Sequence, residues 1–171
     1  MCRMAISMYD ASVPRFAAML RNLSAILDKA QAHADARRID PLNFTQARLF
    51  PDMLPFTRQV QIACDTAKGA AARLAGIENP KHEDTEKTFA ELKARIDRTL
   101  AFIEGVPRAK IDGSEEREVV LQQRAGEARY RGQQYLLGHA WPNFYFHVTT
   151  AYALLRQGGV ELGKKDFIGQ P

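Results

Sequence analysis

Apolar residues recur at steps of three and four along most of this chain, the spacing of amphipathic helices. Val13, Phe16, Ala17, Leu20, Leu23, Leu27 and Ala30 mark the first helix, which runs to about Arg37. Ser7-Met8-Tyr9-Asp10 fits a capping box ahead of it, and Pro14 falls in the first turns, where a missing N–H is tolerated. Residues 39 to 55 contain Pro41, Pro51 and Pro55, so the pattern breaks into a connection whose Leu49, Phe50, Met53 and Leu54 are expected to pack on the core. A second helix spans about Pro55 to Ala75. Its stripe of Phe56, Val60, Ala63, Ala67, Ala70 and Leu74 is mostly alanine, so a neighbouring helix can approach closely. Gly76 ends it, with Pro80 following.

The third helix is expected to start at Asp84, with Glu86 in its first turn, and to bury Phe89, Leu92, Ile96, Leu100 and Ile103 before Gly105 and Pro107 stop it. Glu118 to Leu121 is short and β-prone, Ala125-Gly126 offers a turn, and Ala128-Arg129-Tyr130 returns, which predicts a small hairpin. The fourth helix runs from near Gly132 to about Arg156 on Leu137, Trp141, Phe144, Val148, Ala151 and Leu155, with a kink expected at Pro142. Gly158-Gly159 ends it and the tail GVELGKKDFIGQP reads as irregular. The prediction is an all-α four-helix bundle, with one long connection and a hairpin insert between helices three and four.

The 171 residues suit a single domain spanning 1–171 with an ample core. A net charge of +4 is spread among acidic residues, with only short basic pairs such as Arg37-Arg38 and Lys164-Lys165, so no nucleic-acid partner is expected. No apolar run is long enough to span a bilayer and no leader pattern opens the chain, which reads as a cytoplasmic protein. Cys2 and Cys64 match no metal or disulfide spacing, and Cys64 reads as a small core residue. Gly-rich phosphate loops, HExxH, GxSxG and CxxC are absent from the sequence.

The most informative stretch is PNFYFHVTTAYALLR, residues 142–156. With Phe144 at the centre of the helix-four seam, His147 falls about 60° to one side, with Asn143 and Thr150 as its helical neighbours. His147 is then either a neutral core histidine held by a neighbouring side chain, or a pocket residue acting as ligand or base. Zinc takes three or four protein ligands, and Asn143 with His147 is half of a helical donor pair. His139 lies two turns before His147 and near the kink, while His33 and His82 fall at helix ends. Phe146 and Ala153 point nearly opposite the seam, with Tyr145 and Tyr152 on the remaining flank. A helix apolar all round must be covered by a second subunit or the tail, and a homodimer is the expected solution.

The blocks MYDASVPRF, PDMLPFTRQVQIACDTAKGAAARLAG, PNFYFHVTTAYALLR and LGKKDFIG together resemble a bacterial family of unknown function related to the DinB/YfiT-like four-helix metalloenzymes. The resemblance covers almost the whole chain. It implies an up-down-down-up bundle, usually a homodimer, and a divalent metal held by one histidine of helix two and an i,i+4 histidine pair of helix four. Here His147 can stand for one of that pair, and its partner position holds Asn143 or Ala151. Helix two offers Gln59, Gln61 and Asp65 but no histidine; Asp65 reads as a surface acid, while Gln59 borders the alanine stripe. Neutral amides are weak zinc ligands, so no tightly bound transition metal is expected, and a weak divalent ion would sit on His147.

Three functions follow. The first is a degenerate bundle binding a small molecule in a central pocket lined by His147, Asn143, Gln59, Gln61, Tyr9 and Tyr145. The second is a metal-dependent thiol transferase or hydrolase using His147. The third is a dimeric, stress-related interaction protein.

Overall fold

A computed structural model describes residues 6–123 and 126–169; Cys2 and the Ala125 half of the hairpin turn lie outside them. The chain is mostly helical. Its elements are α1 (Val13–Arg37), α2 (Leu42–Thr45), α3 (Phe56–Ala75), α4 (Phe89–Glu104), α5 (Arg108–Ile111), β1 (Glu118–Gln123), β2 (Gly126–Arg131), α6 (Gly132–Tyr135), a π-helical turn (Leu136–Ala140), α7 (Trp141–Gln157) and α8 (Lys164–Ile168). Four long helices build the core: α3 packs on α7 and α4, and α1 packs on α4 and α7. No helix among the described residues is long and apolar enough to cross a membrane.

The alanine stripe of α3 does what its small side chains permit. Ala63, Ala67, Ala70 and Ala71 are fully buried, and α7 lies against that helix more extensively than any other element does. Larger side chains fill the remaining space. Phe16 of α1 meets Phe144 of α7 edge to face, their centroids 4.9 Å apart. Phe56 and Phe89 repeat this geometry between α3 and α4 at 5.9 Å. Burying a phenylalanine of this kind stabilises the fold by roughly 1.5–3 kcal/mol.

Several helix boundaries differ from expectation for local reasons. Ser7 and Asp10 do bond to each other, at 3.2 Å, but they close a turn before α1 and do not cap it. Ser12 sits at the cap position, and its hydroxyl donates back to the Met8 carbonyl at 2.6 Å. The start of α4 is Thr88, whose side chain accepts from Glu91 N–H while Glu91 reaches back to Thr88 N–H. Asp84 therefore caps nothing; it lies in the extended run before α4, free to pair with arginines. In the first connection Phe44, Thr45 and Pro55 are buried, whereas Leu49, Phe50 and Leu54 are exposed. The tail is not wholly irregular: α8 packs on α1, and its Phe167 meets Tyr152 at 5.8 Å, covering one flank of α7. Leu137, expected in the seam, is exposed.

The hairpin forms with Glu118 opposite Arg131 and Gln123 opposite Gly126. It is anchored at Gly132, where a Cβ would collide with the Ser114 carbonyl, so only glycine allows β2 to turn into α6 there. The kink expected at Pro142 takes the form of a π-helical turn. Proline has no N–H to give to the Gly138 carbonyl and its ring would press on that oxygen, so the backbone opens over Leu136–Ala140 and regular α-helix resumes at Trp141.

Candidate functional site

Helix α7 presents His147 to α3. Its Nδ1 lies 2.7 Å from Gln59 Oε1, and both residues are buried. Gln59 uses its Nε2 to donate to the Leu54 carbonyl at 2.9 Å, so the oxygen facing the imidazole accepts and Nδ1 carries the proton. Burial, and secondarily the nearby Arg58, push the His147 pKa below its ordinary value, so the ring is neutral at pH 7. Asn143, one turn earlier, donates to Thr66 Oγ1 at 2.8 Å, and Thr66 in turn donates to the Ile62 carbonyl.

The other sequence candidates lie elsewhere. Tyr9 donates its backbone N–H to Asp112, and its ring sits under Arg108. Tyr145 is half-buried against Phe144. Gln61 faces away from His147: it donates to Glu86 at 2.9 Å and accepts from Arg58 at 2.7 Å.

Gln61 belongs to a charged cluster that sequence reading missed. Arg95 of α4 is fully buried. Its guanidinium meets Asp65 at 2.9 Å, Asp84 at 3.0 Å and Glu86 at 3.1 Å, and also donates to the Glu83 carbonyl. Lys68, also buried, pairs with Asp65 at 3.2 Å, while Arg58 pairs with Asp84 and Arg98 with Glu86. Asp65, partly open to solvent, is therefore also an anchor for a buried cation. Burial alone would raise the Glu86 carboxyl, but its own backbone N–H, Gln61 and Arg95 outweigh that and hold it below the usual range. The signal was present: Leu92, Arg95, Ile96, Thr99 and Ile103 share one helical face. Beside them, burial pushes the Cys64 thiol up to about 12, which leaves it unreactive.

The polar cleft of most chemical interest lies at the π-helical turn. Asp65, Thr66 and Arg73 of α3, Val120, Leu121 and Gln122 of β1, Tyr135 and His139 line a space of about 420 Å³. Arg73 donates to the Tyr135 hydroxyl at 3.2 Å. His139 stacks on Tyr135, with centroids 5.8 Å apart and planes 20° apart, and Tyr130 of β2 approaches the same imidazole at 5.7 Å. Burial, then Arg73, lower the His139 pKa. None of His147, Gln59, Tyr9 and Tyr145 lines this cleft.

His139 and His147 stand two turns apart; the His147 Nδ1–H donates to Gln59, leaving Nε2 as its one lone-pair donor, and Asn143 between them gives its NH2 to Thr66. Among the described residues no three His, Cys, Asp or Glu side chains gather closely enough to hold an ion.

A solved structure supplies the class. The crystal structure of a DinB family member from Shewanella denitrificans is 43% identical to this chain, covers 95% of it over 92% of its own length, and matches with a TM-score of 0.88. Residues 8–168 match the domain of unknown function DUF1993, and the chain belongs to that family. Comparison with curated proteins finds no match.

Proposed function

We propose that this protein is a DinB-type four-helix bundle, its long helices in up-down-down-up order, that binds a small organic molecule without a tightly held metal. The observation that carries the reading is the cleft of about 420 Å³ at the π-helical turn, where polar groups from α3, α6 and the π turn line a space closed by β1 at Val120–Gln122. Concave sites of this size, with a few polar groups on an apolar wall, are the usual form of a small-molecule site. Local π-helical geometry recurs at functional sites as well. The cleft lies two turns of helix from His147, beside His139, and His147 Nδ1 is engaged with Gln59. Among the described residues no cluster of three His, Cys, Asp or Glu side chains supports a metal-dependent thiol transfer or hydrolysis. Phe146, 56% exposed on the outer face of α7, supports the homodimer and the interaction-protein reading.

The test is a thermal-shift screen of small thiols, carboxylates and amines, with hits mapped by amide and aromatic NMR. Hits should perturb Tyr135 and His139. A screen whose hits all map away from the cleft, or that yields none, overturns the reading. Metal analysis of untagged protein should give well below one ion per chain; a stoichiometric transition metal overturns the metal-free assignment.

A further inference from the structure

We propose that the ligand of the cleft is an organic monocarboxylate, its carboxylate held by the Arg73 guanidinium beside the Tyr135 hydroxyl and its apolar body lying along β1. This deepens the reading above and depends on it.

The charges on the cleft wall decide the sign of the ligand. Asp65 and Arg73 both line the space, but their situations differ. Asp65 pairs with the buried Lys68 at 3.2 Å and meets Arg95 at 2.9 Å, which it shares with Asp84 and Glu86, themselves also paired with Arg58 and Arg98. Arg73 has no carboxylate partner among the described residues; its side-chain hydrogen bond goes to Tyr135, which is neutral. The uncompensated charge facing the cleft is therefore one positive guanidinium. A guanidinium presents paired N–H donors at the spacing of a carboxylate's two oxygens. One cation matches one negative charge, so a monoanion suits the site better than a doubly charged phosphate ester. The His139 ring carries one N–H that can serve as a further donor.

The helix makes room for this arginine. Gly69 lies one turn before Arg73 in the interior of an otherwise alanine-rich helix, where glycine is less favourable than alanine. Its φ is an ordinary helical one, so backbone conformation does not require glycine. Space does: a Cβ at 69 would overlap the Arg73 terminal nitrogen and stand 3.3 Å from its Cζ. The guanidinium folds back over the bare backbone of Gly69 and so reaches Tyr135. In a helix selected only for packing, alanine would serve better here.

Gly69→Ala is the decisive variant. The clash is with the far end of a flexible side chain, so the arginine swings away, and the helix keeps or gains stability from alanine's propensity. Binding is measured by NMR titration with monocarboxylates from acetate to 2-naphthoate, each paired with its neutral primary amide. The wild-type protein should bind an apolar monocarboxylate at Tyr135 and His139 about tenfold or more tighter than the amide, the worth of a charged hydrogen bond. Gly69→Ala should erase that preference at undiminished melting temperature, and Arg73→Met should do the same. Acid and amide binding equally at the cleft would overturn the carboxylate assignment and leave the small-molecule reading standing. Preference for the acid persisting in both variants would overturn the role of Arg73. If neither acids nor amides perturb the cleft, the carboxylate assignment falls, and the wider screen of thiols and amines then tells whether the small-molecule reading falls with it.

Discussion

Replacing Arg95 by methionine should unfold more of this protein than any exposed charge change, and the effect should fade in acid. Methionine keeps most of the aliphatic volume, so the packing loss is small. What disappears is a guanidinium with 0% side-chain exposure that faces Asp65, Asp84 and Glu86. Breaking a buried ion pair costs about 3–5 kcal/mol because an unmatched charge stays behind. Here two of the three carboxylates are 39% and 42% exposed and can turn to water, whereas Glu86 at 5% cannot. The lower end, about 3 kcal/mol, is therefore expected at pH 7. With a urea slope near 2 kcal/mol/M, the midpoint should fall by about 1.5 M.

The pH dependence follows from the signs. In the native protein Asp84 and Glu86 are held below their ordinary values of 3.8 and 4.5 despite burial. The stability they contribute is present above those values and is lost as pH falls through the lowered native ones. Without Arg95 the Glu86 carboxyl loses one of the partners that hold it down, while its own backbone N–H and Gln61 remain, so its folded value moves back up and the variant has less stability to lose in acid. The gap between the two proteins should therefore narrow as pH falls below about 4.5, where the wild type begins to lose this contribution. Urea titrations showing a loss below about 1 kcal/mol at pH 7, or a gap that does not shrink in acid, would refute the reasoning.

Gln59→Leu should leave the His147 Nδ1–H buried without an acceptor and cost about 1–3 kcal/mol in chemical denaturation; a change below about 0.5 kcal/mol would show that the pair is not a satisfied buried bond. The homodimer is tested at Phe146. Light scattering should give twice the 19.2 kDa chain mass for the wild type and the single-chain mass for Phe146→Glu; a monomeric wild type refutes the dimer, and a dimeric variant places its interface elsewhere.

The helices and the hairpin were legible because their signals are local. The step of three and four along α1, α3 and α4, the Gly76 stop and the β-prone run from Glu118 each act within a few residues. The candidate site was legible only in part. The pairing of His147 with an amide of α3 was within reach, since both residues border the same helix–helix seam. Arg95 could have been found from its place between Leu92 and Thr99, but a charged residue on an apolar face is easily taken for the edge of the stripe. His139 could not have been placed, because the reading assumed 100° per residue and the π-helical turn before Pro142 breaks that assumption.

Sequence alone determined where the chain curls and which faces turn inward, since backbone hydrogen bonds and side-chain period are set by near neighbours. Only the tertiary structure decided which charges are matched. Asp65, Asp84 and Glu86 come from two segments and meet Arg95 from a third, and that gathering leaves Arg73 as the cation facing the cleft without a carboxylate among the described residues. Electrostatic balance depends on distances through space, and no local pattern encodes those.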